Sequence, residues 1–416
     1  MTPWKAQFKP ALAQVYSRAC AQYVRLSVGS AEAERSFGRV AIVAALGRNN
    51  GIANGARLQH AMLRRMGVDA ELIDAGAVLR NPLFRSRHTP ASAYVVHCGG
   101  PQTAQLLTAM MPAAARAWRI GYWAWELPDP PRDWHGFDSL LHEVWTPSRF
   151  SQRSLRRLTD LPMEVVPHVV PVARRRTRDG ACPFTVLCFG DSRSSFARKN
   201  PMGAIAAFRA AFGDSPGARL VVKLNGGAED GCELARAAAG CANVTILRDF
   251  LDADALARLH ASADVLLSLH RAEGFGLPMI EAMGHGVPVI ATAWSGNLDF
   301  MDGTNAVLVP ARLVPVVDDA GIYRDSVWAE PDLDVAAAAL RGLAQDPERW
   351  SRLSVAAHAA ASALARQVPT ALLQPRRRRD EIRATVAARM AGPNQTAPTA
   401  LRGAPPAWEP VQGEHG

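Results

Sequence analysis

Twelve short apolar runs recur along this chain, and helix-patterned stretches separate most of them. The first six are Arg39–Ala45, Ala70–Ile73, Tyr94–His97, Arg119–Ala124, Glu143–Trp145 and Met163–Val166. The second six are Phe184–Phe189, Arg219–Leu224, Val244–Leu247, Val265–Leu269, Val287–Ala291 and Ala306–Val309. Helical spacing fits Ala56–Met66, Phe150–Leu158, Pro201–Phe212, Ala253–Ala261 and Leu277–Met283. Strands that alternate with helices form parallel sheets covered on both faces. Between the two series lies Pro167-His168-Val169-Val170-Pro171, followed by the basic stretch Arg174–Asp179, a composition that suits a hinge. The expected fold is therefore α/β, with two Rossmann-like domains in series. The first is expected over 1–170. The second spans 171–390 and includes closing helices near Val335–Leu343 and Trp350–Leu364. Residues 391–416 are rich in Pro, Gly and Ala, lack periodicity and read as a disordered tail.

One stretch carries chemistry as well as fold: HRAEGFGLPMIEAMGHGVPVIATAWSGNLDFM, residues 270–301. It follows the apolar run Asp264–Leu269, and Gly274 and Gly276 free the backbone for a tight turn. Pro278 fits the first turn of a helix, where a missing N–H costs nothing. Glu273 then sits in the turn and Glu281 on the helix just inside its start. Helix starts receive phosphates, and carboxylates accept hydrogen bonds from sugar hydroxyls. Two acids on either side of such a turn suit a ligand with a sugar at one end and a ribose at the other, which describes a nucleotide-sugar. An acid near a helix start also serves the helix itself.

The string AEGFGLPMIEAMGHGVPVIAT resembles the paired-glutamate motif of retaining glycosyltransferases with the GT-B fold, specifically family 4. The resemblance implies two Rossmann-like domains whose parallel sheets face across a cleft. It implies that Glu273 contacts hydroxyls of the donor sugar and Glu281 the ribose, with Gly274, Phe275, Gly276 and Leu277 forming the donor turn between them. IGYWAWELPDPPRDWHGFDSLLHEVWTPSRF at 120–150 resembles the GYWAWEL signature of one branch of that family, whose members resemble lipopolysaccharide and exopolysaccharide transferases. The likeness covers roughly residues 39–345 and is strongest at 184–212 and 264–301. It departs at Gly99-Gly100, where relatives often carry polar residues, and the first 35 residues have no counterpart.

Other segments complete the expected site. A strand, a polar loop, the pair Arg198-Lys199 and a helix from Pro201 make a cationic mouth for a diphosphate. By resemblance this pair neutralises the leaving nucleotide. Fixed cations at a departing phosphate stabilise the transition state more than the ground state. The first apolar run leads into GRNNGIANG before a helix, a glycine-rich start that suits a phosphate or sugar edge and equally a plain turn; the resemblance implies Gly51 and Gly55 as candidates for the donor diphosphate. His97 ends a strand, and the resemblance implies that it faces the donor sugar, where an imidazole can donate a hydrogen bond or move a proton. Asn297, in the SGNLDFM segment, is a further donor-side candidate and equally a helix cap. Five of the ten tryptophans fall between Trp118 and Trp145. Most read as core, with Trp123 or Trp125, Trp125 first, as the acceptor-side candidate because aromatic faces stack on sugars. Glu126, in a loop at a strand end, is the polar acceptor-side candidate.

No metal or cofactor is expected, the nucleoside-diphosphate sugar being a co-substrate. The acidic triplets Asp252–Asp254 and Asp332–Asp334 each precede a helix and read as caps. The six cysteines lie without metal-like pairs and suit reduced thiols of a cytosolic protein. Residues 1–180 hold 24 Lys and Arg against 13 Asp and Glu, whereas the remainder is nearly balanced. That excess suits an anionic partner such as an acidic lipid surface, a lipid-linked pyrophosphate or an acidic glycan, and equally a solvated basic face. Arg376–Arg379 reads chiefly as a solvated helix edge, with an anionic membrane as the alternative. No window has the length of apolar sequence a membrane span needs, and the N-terminus lacks the pattern of a secretory signal. The expected setting is cytoplasmic, at most peripheral to the inner face of the membrane.

The expected activity is transfer of a hexose from a nucleoside-diphosphate sugar to a glycan or lipid-linked acceptor with retention, in surface polysaccharide biosynthesis; no nucleic acid partner is expected. A non-catalytic nucleotide-sugar or glycan-binding subunit is the alternative, disfavoured because both acids and both cations are present. A dinucleotide oxidoreductase would need G-x-G-x-x-G after its first strand, and GRNNGIANG lacks it. A pyridoxal-dependent phosphorylase would need a Schiff-base lysine, and nothing marks one.

Overall fold

The computed structural model describes residues 3–30, 32–47, 50–178, 183–191, 195–225, 231–319 and 321–367. The Arg376–Arg379 run and the tail from 391 lie outside the described residues, as do Arg48 and Asn49 of the first glycine loop. Contacts divide the chain into two units. One holds Met1–Trp125 and Asp129–Val169, and the other Val170–Gln367 together with the short piece Glu126–Pro128.

In the first unit, helix α1 (Pro3–Val28) precedes β1 (Arg39–Ala44), α2 (Gly51–Arg65), β2 (Asp69–Asp74), β3 (Ala93–His97) and α3 (Gly100–Met110). Then come β4 (Trp118–Tyr122), β5 (Glu143–Thr146), α4 (Arg149–Leu155) and β6 (Met163–Val165). The strands form a parallel sheet in the order β2-β1-β3-β4-β5-β6. Every residue of β3, β4 and β5 is buried, as expected of strands covered on both faces. Helix α1 packs along α3, with Ser17 and Cys20 against Gln105 and Thr108.

The second unit contains β7 (Phe184–Asp191), α5 (Phe196–Lys199), α6 (Pro201–Phe212), β8 (Ala218–Asn225), α7 (Gly231–Ala238) and β9 (Val244–Leu247). It continues through α8 (Ala253–Ser262), β10 (Val265–Ser268), α9 (Leu277–Gly284), β11 (Val289–Thr292) and β12 (Val307–Val309). An antiparallel hairpin, β13 (Ala311–Pro315) with β14 (Val327–Pro331), leads to α10 (Leu333–Gln345) and α11 (Pro347–Arg366). The sheet is parallel, in the order β12-β11-β10-β7-β8-β9. Its core gathers Val186, Leu220, Val265, Leu267 and Ile290 under Phe208 of α6 and Leu340 of α10. Asp252 and Asp332 cap α8 and α10 through backbone N–H groups, as their position before helices predicts.

In each sheet, consecutive strands diverge at one point: between β1 and β3 in the first, between β7 and β10 in the second. Loops leaving the carboxyl ends of such adjacent strands run to opposite faces, and the crevice they open is where α/β sheets take ligands. The segment after β7 carries Arg198 and Lys199, and that after β10 carries Glu273. No helix among the described residues is long and apolar enough to cross a membrane.

Candidate active site

Four contacts stitch the segment after β7 to the segment after β10. Asn200, in the left-handed region at φ 51°, caps α6 through Gly203 N–H and donates its side-chain amide to Leu269 O at 2.9 Å. Arg271 N–H donates to Arg198 O at 2.8 Å, and its guanidinium reaches Ala197 O at 2.7 Å. Arg198 returns the contact, Nη1 donating to Ala272 O at 2.9 Å. Glu330 of β14 holds Arg271 with both carboxylate oxygens, so the hairpin braces the same junction.

On this frame Glu273 Oε2 accepts from Lys199 Nζ at 2.6 Å and from Arg198 Nη1 at 3.2 Å. The side chains of Glu273, Lys199 and Arg198 are 11%, 16% and 6% exposed respectively, so Lys199 is the most open to a ligand. Burial works to raise the Glu273 carboxyl. Lys199, Arg198 and His270 outweigh it and bring it down to about 2. Arg198 is opposed by burial too, yet Tyr323, Glu126, Glu273 and Asp191 around it hold the guanidinium charged. Its Cζ lies 5.7 Å from the centre of the Tyr323 ring. Glu126 belongs to this unit and hydrogen-bonds Tyr323. Burial raises its carboxyl above the usual range although Arg198 pulls the other way.

The turn beyond Glu273 is held from below by residues 295–297. Glu273 N–H donates to Ser295 Oγ at 2.9 Å, and Gly296 N–H to Glu273 O at 2.9 Å. Ser295 adopts φ 80°, unusual for a residue with a side chain. A Cβ on Gly296 would collide with Gly274 O, so only glycine permits this approach. Gly276, at φ 107°, turns the chain into α9, where Pro278 occupies the first turn. Phe275 is buried against Phe300, ring centres 5.1 Å apart, and Leu277 is partly exposed at the helix start. Further along α9, Glu281 points to His260, with Oε2 3.5 Å from Nε2.

Several expected site residues play a different part. Asn297 is wholly buried: its amide donates to Thr292 O at 3.1 Å, and its oxygen meets His270 Nε2 at 3.2 Å. It therefore supports the turn from beneath instead of facing a ligand. Gly55 is not in a loop, because α2 begins at Gly51 with Asn50 as its cap. A Cβ on Gly55 would strike the His168 ring, so this glycine serves helix packing. Gly51 is exposed at the start of α2. Trp125 is buried, its indole N–H bonded to Asp129 O at 2.7 Å and its ring in a T-shaped contact with Trp134, so packing leaves little of it for a sugar. His97 ends β3 in the first unit, 1% exposed, stacked on Tyr122 and bonded through Nε2 to Gln59 at 2.6 Å. Burial, then His168, lowers its pKa well below the usual histidine range, so the ring is neutral.

Sequence reasoning alone misses Ser295, Gly296, His270 and Tyr323. The first two carry a signal, an S-G pair just beyond a buried strand, after Ala293 and Trp294. Tyr323 stands in the loop between β13 and β14, in a stretch that shares the resemblance but to which it assigns no role. Among the described residues no group of three or more His, Cys, Asp or Glu side chains could hold a metal ion.

Residues 183–319 match the family model described as Glycosyl transferases group 1. None of the curated proteins compared with the chain matches it in sequence. Among solved structures, HepE from Anabaena in complex with UDP-glucose is similar at 14% identity and TM-score 0.56, over 85% of this chain and 99% of that one. Sucrose-phosphate synthase from Thermosynechococcus elongatus is similar at 16% identity and TM-score 0.55, over 78% of this chain and 94% of that one. The fold is thus that of the GT-B glycosyltransferases: α/β with two six-stranded parallel sheets.

Proposed function

We propose that this chain is a glycosyltransferase that moves a hexosyl group from a nucleoside-diphosphate sugar to a hydroxyl of a glycan or lipid-linked acceptor, with retention of anomeric configuration. The observation that carries the reading is the buried contact of Glu273 with Lys199 and Arg198 at the point where β7 and β10 diverge. Two fixed cations beside an ionised carboxylate match a diphosphate joined to a polyol. The match of residues 183–319 to group 1 glycosyl transferases supports the same assignment. The UDP-glucose complex of HepE makes UDP-glucose the first donor to test.

In this reading Lys199 and Arg198 take the diphosphate, Glu273 accepts hydrogen bonds from the sugar, and Glu281 takes the ribose hydroxyls. The acceptor oxygen bonds to the anomeric carbon on the face from which the nucleotide departs. As the bond to the β-phosphate oxygen breaks, that oxygen receives the acceptor's proton. Charge grows on the departing phosphate, where the two cations stabilise it without reorganisation. Glu126, beside Arg198, serves the acceptor side. The product would enter surface polysaccharide.

Purified protein incubated with UDP-, GDP- and ADP-sugars tests the reading. Binding followed by nucleotide release that depends on Glu273 and Lys199 is expected. Absence of binding to every donor overturns it. Binding without turnover across an acceptor panel favours a non-catalytic subunit.

A further inference from the structure

His260 lies in the last turn of α8, 1% exposed, and neither of its ring nitrogens has a hydrogen-bond partner among the described residues. Burying a polar group without a partner is costly, and an apolar ring would fill the same space without that cost. The polar edge of the ring meets a carboxylate: Glu281 Oε2, 3.5 Å from Nε2. Two rings set the plane of the imidazole. Phe189 of β7 lies 5.2 Å away at 25°, and His285 at the end of α9 lies 6.1 Å away at 5°. Stacked this way the ring has little freedom to tilt, so Nε2 stays close to the carboxylate, 3.5 Å from Oε2. A carboxylate only accepts hydrogen bonds, which favours the form with a proton on Nε2. Glu281 itself keeps 19% of its side chain exposed, enough to meet a ligand from its other side.

We infer that His260 is a positioning residue of the donor site, which orients the Glu281 carboxylate toward the ribose hydroxyls of the nucleotide. This rests on the ribose role proposed for Glu281. His260 touches neither sugar nor phosphate; it acts through the glutamate. A flexible glutamate must be ordered before it can bind, and a pre-aimed one loses less freedom on binding.

The test is calorimetric titration of the full chain with UDP, GDP and ADP, and with the 2′,3′-dideoxy form of whichever binds. His260→Phe, which keeps the stack, weakens the ordinary nucleotide by about tenfold, within the range of coupled neighbours. Its affinity for the dideoxy form stays within about twofold, since that form lacks the hydroxyls that Glu281 would hold. His260→Gln, whose amide nitrogen can stand in for Nε2, recovers most of the loss. On a Glu281→Gln background, His260→Phe adds almost nothing. His260→Asn, too short to reach Glu281, repeats the Phe result should that variant not fold. Equal losses for both nucleotides, an unchanged affinity, or losses that simply add to those of Glu281→Gln overturn the inference while leaving the donor reading intact. Failure of all three nucleotides to bind the unaltered chain defeats the donor reading first, and this inference with it.

Discussion

Lys199 Nζ lies 2.6 Å from Glu273 Oε2, although 74 residues separate the two in sequence. One residue follows β7 and the other β10, which are neighbours in the sheet but run into connections on opposite sides. Sheet order alone therefore brings a cation from one loop to an anion from another. The contact is short and charge-assisted, the stronger class of hydrogen bond. Arg198 on the same oxygen makes it a triad in which a ligand can replace one partner without stranding the others.

Lys199→Met is expected to lower turnover by about 10²–10³, the usual effect of removing one group that stabilises a developing oxyanion. Stability should fall by less than in Glu273→Gln, because Arg198 still pairs with Glu273. Glu273→Gln should lower turnover and also destabilise by about 3 kcal/mol, since buried guanidinium charge loses its carboxylate. Steady-state kinetics and thermal unfolding of the two variants separate these effects. Unchanged turnover in Lys199→Met would remove the lysine from the reaction.

Acid should unfold the chain through two kinds of group. His168 is lowered to about 4 by burial, and His97 lies well below its usual value. A histidine with a depressed folded pKa takes up protons more readily when unfolded, so its stabilisation is present above about pH 6.5 and is lost as pH falls toward the folded value. Glu273 adds a second decline. Its folded pKa is about 2 against an ordinary carboxyl value of 4.5. Its contribution, about 3 kcal/mol, is present above about pH 5 and disappears as pH falls toward the folded value. Denaturant midpoints should be level from about pH 8 to about pH 7 and fall from there to about pH 3, and Glu273→Gln should flatten only the lower part. A curve level from about pH 7 to about pH 5 would contradict the histidine assignment.

Two glycines seven residues apart should respond oppositely to alanine. Gly296 approaches Gly274 O so closely that a Cβ forces the turn after Glu273 away, whereas a Cβ on Gly303 would meet nothing within 4 Å. Gly296→Ala should cost about 2–3 kcal/mol of stability, as backbone clashes in tight packing do, and most of the donor affinity. Gly303→Ala should lie within about 0.5 kcal/mol of the parent. Denaturation and nucleotide titration of the pair suffice. Normal donor binding by Gly296→Ala would show that the turn tolerates displacement.

Much of this is legible in the residues because buried parallel strands leave a plain mark. Val244–Leu247 and Pro201–Phe212 have in the structure the bounds that their patterns predict. The geometry of a single loop is equally visible, as with the turn that carries Glu273 and the glycines after it. Long-range packing is what the local pattern does not carry. Nothing local says that Asn297 turns inward to His270, or that Gly55 makes room for His168, far along the chain. Trp125 reads as a platform for a sugar because composition cannot tell which face of an indole another ring will cover. The β13–β14 hairpin is hidden for a related reason: its strands are short and β13 is largely half-exposed, with a long connection that obscures their pairing.

Tyr323, the contribution of that hairpin, should govern the acid limb of the reaction. Asp318 ties its loop down, accepting from Ile322 N–H at 2.9 Å, Tyr323 N–H at 3.1 Å and Ser195 Oγ at 2.8 Å. The Tyr323 hydroxyl hydrogen-bonds Glu126, which lowers a carboxyl that burial has raised. Tyr323→Phe deletes that bond and leaves the burial, so the Glu126 carboxyl must rise further. If ionised Glu126 accepts a hydrogen bond from the acceptor, the acid limb of kcat/KM moves to higher pH by about half a unit to one unit, the equivalent of one hydrogen bond. Glu126→Gln should abolish that limb altogether. Donor affinity should stay near that of the parent, because Lys199 and Glu273 keep their contact. An acid limb that does not move in Tyr323→Phe, measured with saturating donor and variable acceptor, would show that Glu126 takes no part in holding the acceptor.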